Sequence, residues 1–197
     1  MIQKLSILLT NKAIKSSICS VDEFDNYVYG FQIFFGKLLT YSLLLIVGII
    51  SKKTISLAAY IVPLVILRGY SGGYHAKTQI GCTVFTCFIA ALSILIVNIY
   101  PDSVYSHWGL GVSTILSSIY ILIYTPINHV NLNFSGSEIK QQRKLIKIYL
   151  LMTIVVIIIF ICIKQRELLL SVCFAVITVA FLMFLAKMLK QEVQKED

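Results

Sequence analysis

The sequence predicts an all-α integral membrane protein, with about six transmembrane helices and an N-terminal interfacial amphipathic helix. Three observations carry that prediction. Hydrophobic residues make up 58% of the 197-residue chain and charged residues 13%, against about 45–50% and about 25% in soluble domains. A chain of this size cannot bury such an apolar excess in one aqueous core. Six stretches approach the ~20 apolar residues that cross a bilayer. The net charge of +8 is spread unevenly around those stretches, as orientation in a membrane requires. Soluble, disordered, collagen-like and disulfide-rich secreted classes are thereby excluded.

Residues 1–19 are too polar to span. Ile2, Leu5, Leu9 and Ala13 recur at helical spacing with lysines elsewhere, which suits a helix lying in the headgroup region. Lys4, Lys12 and Lys15 interrupt this stretch, so it does not read as a signal peptide. Ser20-Val21-Asp22-Glu23 has the form of a capping box. It opens the first span, 20–50, whose polar lead-in gives way to apolar sequence at Phe31. The second span is short and contains Pro63; it reaches a bilayer's width only if it occupies 53–70. The remaining spans are expected at 81–100, 108–127, 145–163 and 168–186. A second capping pattern, Ser135-Gly136-Ser137-Glu138, precedes the basic run that leads into the fifth. The whole chain reads as one membrane domain.

The basic residues orient this layout. With the N-terminus in the cytoplasm, the inside segments hold Lys4, Lys12, Lys15, Arg68, Lys77, Lys140, Arg143, Lys144, Lys147, Lys187, Lys190 and Lys195. The outside segments hold only Lys52, Lys53, Lys164 and Arg166, and Lys37 lies within a span. That bias places both termini in the cytoplasm.

The five cysteines form no Cys-x-x-Cys pair and the three histidines are scattered. Neither a disulfide framework nor a metal site is expected, and no cofactor is implied. One cytoplasmic loop, 68–82, departs from the apolar monotony. It reads Arg68-Gly69-Tyr70-Ser71-Gly72-Gly73-Tyr74-His75-Ala76-Lys77-Thr78-Gln79-Ile80-Gly81-Cys82 and holds four of the ten glycines. His75 and Cys82 are seven residues apart. On one straight helix they would be separated by roughly 10 Å, too far for a nucleophile and its base. A working pair needs Cys82 in the first turns of the third span and His75 folded back over it from a glycine-permitted turn. The helix N-terminus and His75 would then favour a thiolate. Spacing alone also allows an ordinary membrane cysteine and an interfacial histidine. Cys87 is a deeper competing thiol, and His107 and His129 lie in other loops. A small transporter or channel, a non-catalytic membrane scaffold and a Cys/His acyltransferase all remain compatible with the residues.

The constellation Arg68-x4-Gly73-x-His75-Ala76-x5-Cys82 resembles the AgrB accessory gene regulator family of bacterial membrane peptidases. Tyr29-Gly30-Phe31-Gln32 and Tyr124-Thr125-Pro126-Ile127-Asn128 are similar to that family as well, so the resemblance covers most of the chain. It departs where many members carry a lysine-proline element; here the sequence is Val130-Asn131-Leu132-Asn133-Phe134.

The resemblance implies a membrane cysteine endopeptidase of quorum sensing, with Cys82 as nucleophile and His75 as base. It links Arg68, Gly73 and Gln32 to activity. It places Lys140, Arg143, Lys144 and Lys147, in the basic loop 128–147, where the family has a functional lysine cluster. The implied substrate is an AgrD-like precursor peptide with an acidic C-terminal tail. That tail is removed through a thioester, and the peptide closes to a thiolactone or lactone. Homodimerisation in the bacterial cell membrane and contact with its lipids are implied too, and nucleic acid is not.

Overall fold

The computed structural model describes residues 2–16, 19–74, 79–127 and 136–189. Seven α-helices and no strand occur among them. They are α1 (Ile2–Lys15), α2 (Phe24–Ile50), α3 (Thr54–Ser71), α4 (Gln79–Ile99), α5 (Val104–Tyr124), α6 (Gly136–Cys162) and α7 (Arg166–Met188). Helices α2 to α7 are each long and apolar enough to cross a membrane, so the chain fits a multi-pass membrane protein.

The local chemistry explains where the helices start. Ser20 and Glu23 form the reciprocal capping box, with the Ser20 N–H donating to Glu23 Oε2 at 3.3 Å. One 3-10 turn, Val21–Glu23, leads from it into α2. Helix α3 has 18 residues, about 27 Å at 1.5 Å per residue, and so just matches the hydrocarbon thickness. It runs through Pro63 without ending. Inside a bilayer such a break in backbone bonding is tolerated when neighbouring helices pack around it. Helix α6 has 27 residues, about 40 Å. Its first three turns are polar and basic, and these extend beyond the apolar stretch that begins at Leu145.

Helix α7 lies at the centre, packed on α3, α4, α5 and α6. Leu170, Cys173, Ala175, Val176, Val179, Ala180, Leu182, Met183 and Ala186 are all buried, so most of its circumference is covered, with Phe181 and Phe184 left on an open face. Its small residues let the neighbouring backbones approach. Tyr60 on α3, 1% exposed, donates its hydroxyl proton to Thr178 Oγ1 on α7 at 3.1 Å. Thr40 on α2 and Thr83 on α4 share a hydroxyl–hydroxyl bond of 2.9 Å. These bonds fix the register of helix pairs in surroundings where no water competes.

Contacts at the helix ends show that the spans alternate in direction. The ends of α3, α5 and α7 meet at one end of the bundle: Ile127 N–H donates to Ser71 O, Tyr74 N–H donates to Leu182 O, and Lys187 Nζ lies 4.0 Å over the Tyr124 ring. At the other end Lys53 pairs with Glu167, Arg166 donates to Tyr100 O, and His107 lies 2.9 Å from Asp102. The N-terminal helix packs against α2 in a way the apolar spacing did not suggest. Its fully buried residues are Ser6 and Thr10, while Leu5 and Leu8 face outward. The two hydroxyls donate to Ile2 O and Ser6 O. Short side chains whose polar atoms are satisfied along the helix permit closer helix–helix contact than leucines would.

Two substitutions separate packing from hydrogen bonding. Ala175→Leu over-packs the central helix and should lower unfolding stability by about 1–3 kcal/mol. Tyr60→Phe removes one interhelical bond and should cost about 0.6 kcal/mol. Denaturant unfolding in detergent micelles ranks them.

Candidate functional site

The site is built where α3 stops. Gly72 and Gly73 have φ of +76° and +139°, values that L side chains rarely adopt. A Cβ on Gly72 would lie 2.8 Å from the carbonyl oxygen of Ile127, closer than van der Waals contact allows. The chain therefore leaves α3 in a conformation and a space that only glycine fits. Gly73 rests on Leu182 of α7. Tyr74 N–H donates to Leu182 O at 3.0 Å, and the Tyr74 ring meets Phe85 edge-on at 5.3 Å. Beneath this turn Tyr70 of α3 stacks on Tyr149 of α6, with centroids 4.8 Å apart.

Cys82 is the fourth residue of α4, inside its first turn. It is half-buried and carries no disulfide. The Arg68 guanidinium reaches it from α3: Nη2 donates to Tyr74 O at 2.6 Å and lies 4.0 Å from Cys82 Sγ. The thiol thus sits in the first turn of α4 with a guanidinium beside it. Cys87 is a turn and a half deeper on α4 and packs against the core. Cys173 is buried in α7, and Cys162 ends α6 away from the glycine turn. Cys82 is the thiol that the Arg68 guanidinium links to the glycine turn.

The structure brings Arg68, Gly73 and Cys82 together. His75 and His129 fall outside the described residues. Gln32 is half-buried on α2. His107 belongs to the opposite end of the bundle, with Asp102.

Lys140, Arg143, Lys144 and Lys147 lie on the exposed side of the first turns of α6. At about 100° per residue they share one stripe roughly 100° wide. Arg143 also turns inward, donating from Nε to Thr125 O at 3.0 Å. Residue types carry no sign of this bond, nor of the parts played by Leu182 O, Ile127 O and Tyr74 O. Main-chain partners leave no residue-type signature; the Gly72-Gly73 pair was the one hint of a close approach.

A model of the family described as accessory gene regulator B matches residues 5–185. The chain belongs to the accessory gene regulator B family. No curated protein and no solved structure matches it. Membership supports a role in processing a quorum-sensing propeptide. Within the accessory gene regulator B match lie the glycine turn, Cys82 and the basic stripe on α6, so the geometry above falls in the part of the chain that the family shares.

The two glycines on either side of Tyr70 should behave differently. A Cβ on Gly69 meets nothing within 4 Å, so Gly69→Ala should leave both stability and Cys82 alkylation unchanged. Gly72→Ala meets Ile127 O at positive φ, a strain of about 1–3 kcal/mol, and should alter the alkylation rate of Cys82 by displacing the turn. Alkylation by a small maleimide, followed by intact-protein mass spectrometry, checks both.

Proposed function

We propose that this chain is a membrane cysteine endopeptidase. It removes the acidic C-terminal tail of a quorum-sensing precursor peptide through a thioester on Cys82, and it closes the remaining peptide into a ring. The observation that carries the reading is the position of Cys82: first turn of α4, at the boundary of an apolar bundle, with Arg68 4.0 Å from its sulfur. Arg68 is half-buried, and a cation partly withdrawn from water needs partners; here they are Tyr74 O and the Cys82 sulfur.

The chemistry follows from those groups. His75, one residue beyond the Tyr74 amide held on Leu182, takes the Cys82 proton. The sulfur attacks the carbonyl carbon that precedes the tail. The C–N bond breaks, His75 returns the proton to the leaving amine, and the tail departs. The peptide stays on Cys82 as a thioester. A thiol of a cysteine within the peptide then attacks the thioester carbonyl; its proton passes by way of His75 to Cys82, and a thiolactone is released. A serine hydroxyl in that place gives a lactone. Arg68 is positioned to stabilise the thiolate or the oxyanion that develops beside it. Water would divert the thioester to a linear acid, and a site at the edge of the membrane limits that loss.

The basic stripe on α6 complements an acidic tail in charge, and the glycine turn is at the same end of the bundle. By the positive-inside rule this end faces the cytoplasm, with both termini. The reading therefore puts the reaction at the cytoplasmic face of a bacterial cell membrane, in a homodimer among anionic lipids.

Co-expression with a short acidic-tailed precursor tests the proposal. Wild type should release the tail and leave a cyclic product lighter by one water than the linear acid. Cys82→Ala and His75→Ala should leave the precursor whole, and Arg68→Ala should slow cleavage by about 100-fold or more. Tail removal by Cys82→Ala would overturn the mechanism.

A further inference from the structure

We infer that Arg143 is a positioning residue for the catalytic segment, and that the acidic tail is received by its lysine neighbours. The inference deepens the peptidase reading and rests on it for the identity of the substrate. It starts from the stripe on α6, whose four members are not equivalent. Leu150 is buried in the core, and Arg143 is seven residues before it, offset by only roughly 20° around the helix. Lys140, Lys144 and Lys147 are offset by roughly 60–120° and point further out. Arg143 therefore lies on the rim of the packed face, and its Nε reaches the carbonyl of Thr125 at 3.0 Å.

That carbonyl occupies a particular place. Thr125 is 1% exposed and follows the last residue of α5, where a helix leaves its carbonyls without intrahelical partners. A cationic donor there satisfies the acceptor and suits the negative end of the helix dipole. From Thr125 the contacts run without interruption to the thiol. Ile127, two residues on, donates its N–H to Ser71 O at 3.0 Å. Its own carbonyl is the atom against which Gly72 fits. Gly72 and Gly73 set the direction of Tyr74, and Tyr74 O holds the Arg68 guanidinium that lies against Cys82 Sγ. Release of Thr125 frees the wall behind Gly72, and with it the acceptor that aims Arg68. The segment so held is the one that leads into His75.

The test compares kcat with KM on purified full-length chain in lipid vesicles. It uses two synthetic precursors: one with the acidic tail, one with every tail Asp and Glu replaced by Asn and Gln. Arg143→Gln should lower kcat about tenfold on both precursors, with KM held within about twofold. Lys144→Gln should raise KM on the acidic precursor alone. A second readout needs no turnover: alkylation of Cys82 in a chain whose other four cysteines are serine. Arg143→Gln should change that rate several-fold, and Lys144→Gln should not. Should Arg143→Gln fail to fold, Arg143→Lys takes its place, with the same signs and smaller size. A KM rise confined to the acidic precursor, with Cys82 alkylation unchanged, overturns the inference and returns Arg143 to the tail-binding set. If wild type cleaves neither precursor, the peptidase reading falls, and the alkylation comparison still decides whether Arg143 holds the turn.

Discussion

A chain within a bilayer must satisfy its own backbone N–H and C=O groups, because no water is present to do so. Where α3 ends at Ser71 that requirement becomes acute. The backbone leaves helical bonding next to the packed core, and each group it exposes needs a new partner. Gly72 N–H closes the last turn on Arg68 O, Ser71 O accepts from Ile127, Tyr74 N–H finds Leu182 O, and Tyr74 O takes the Arg68 guanidinium. Partners from α3 itself, from the residues after α5 and from α7 thus converge on three residues. The position of the thiol environment is a by-product of that convergence: Arg68 is drawn to a carbonyl that happens to lie above the first turn of α4.

The two ends of the bundle use charge differently. At the end away from the glycine turn, Lys53 has Glu167, and Arg166 and His107 share Asp102. These pairs tie α3, α5 and α7 together, while Lys52 and Lys164 are exposed at the same end. At the glycine end Arg68 and Arg143 donate to carbonyl oxygens. Lys140, Lys144 and Lys147 are exposed there, and Lys187 rests on the Tyr124 ring. A sum over the whole chain gives only a net charge; its segregation is what distinguishes an end built for stability from one able to attract an anion.

The helices themselves were legible because hydropathy and helix length are read directly from residue type. Their arrangement was less so. Helices α6 and α7 have nearly the same mean hydropathy in their apolar windows, yet 11% of one window and 56% of the other is buried. The difference lies in side-chain size. Ile154 to Ile159 make α6 a bulky, branched surface suited to lipid, whereas Ser171, Ala175, Ala180 and Ala186 let helices close on α7. The same reasoning explains α1, where Ser6 and Thr10 are buried and the leucines are not. In the site, the types that carry chemistry stood out: a cysteine, an arginine and paired glycines. The carbonyls of Leu182, Ile127, Thr125 and Tyr74 did not, since every residue has one and only the fold says which are used.

Arg68 shows why residue type and geometry have to be read together. Its Nη2 serves two partners of different kinds, a carbonyl oxygen at 2.6 Å and a sulfur at 4.0 Å. A planar guanidinium can do this because its N–H groups diverge in fixed directions, so the bond to Tyr74 O orients the remaining donors toward Cys82. A lysine ammonium at the same position would carry equal charge, but its rotating donors would not transmit the orientation of Tyr74 O to the sulfur. The distance to sulfur is that of a loose contact. In the proposed mechanism, where negative charge develops on sulfur or on an oxygen bound next to it, the guanidinium is already held in place by Tyr74 O. The backbone bonds that the membrane makes obligatory at the end of α3 therefore also set the guanidinium that lies beside Cys82.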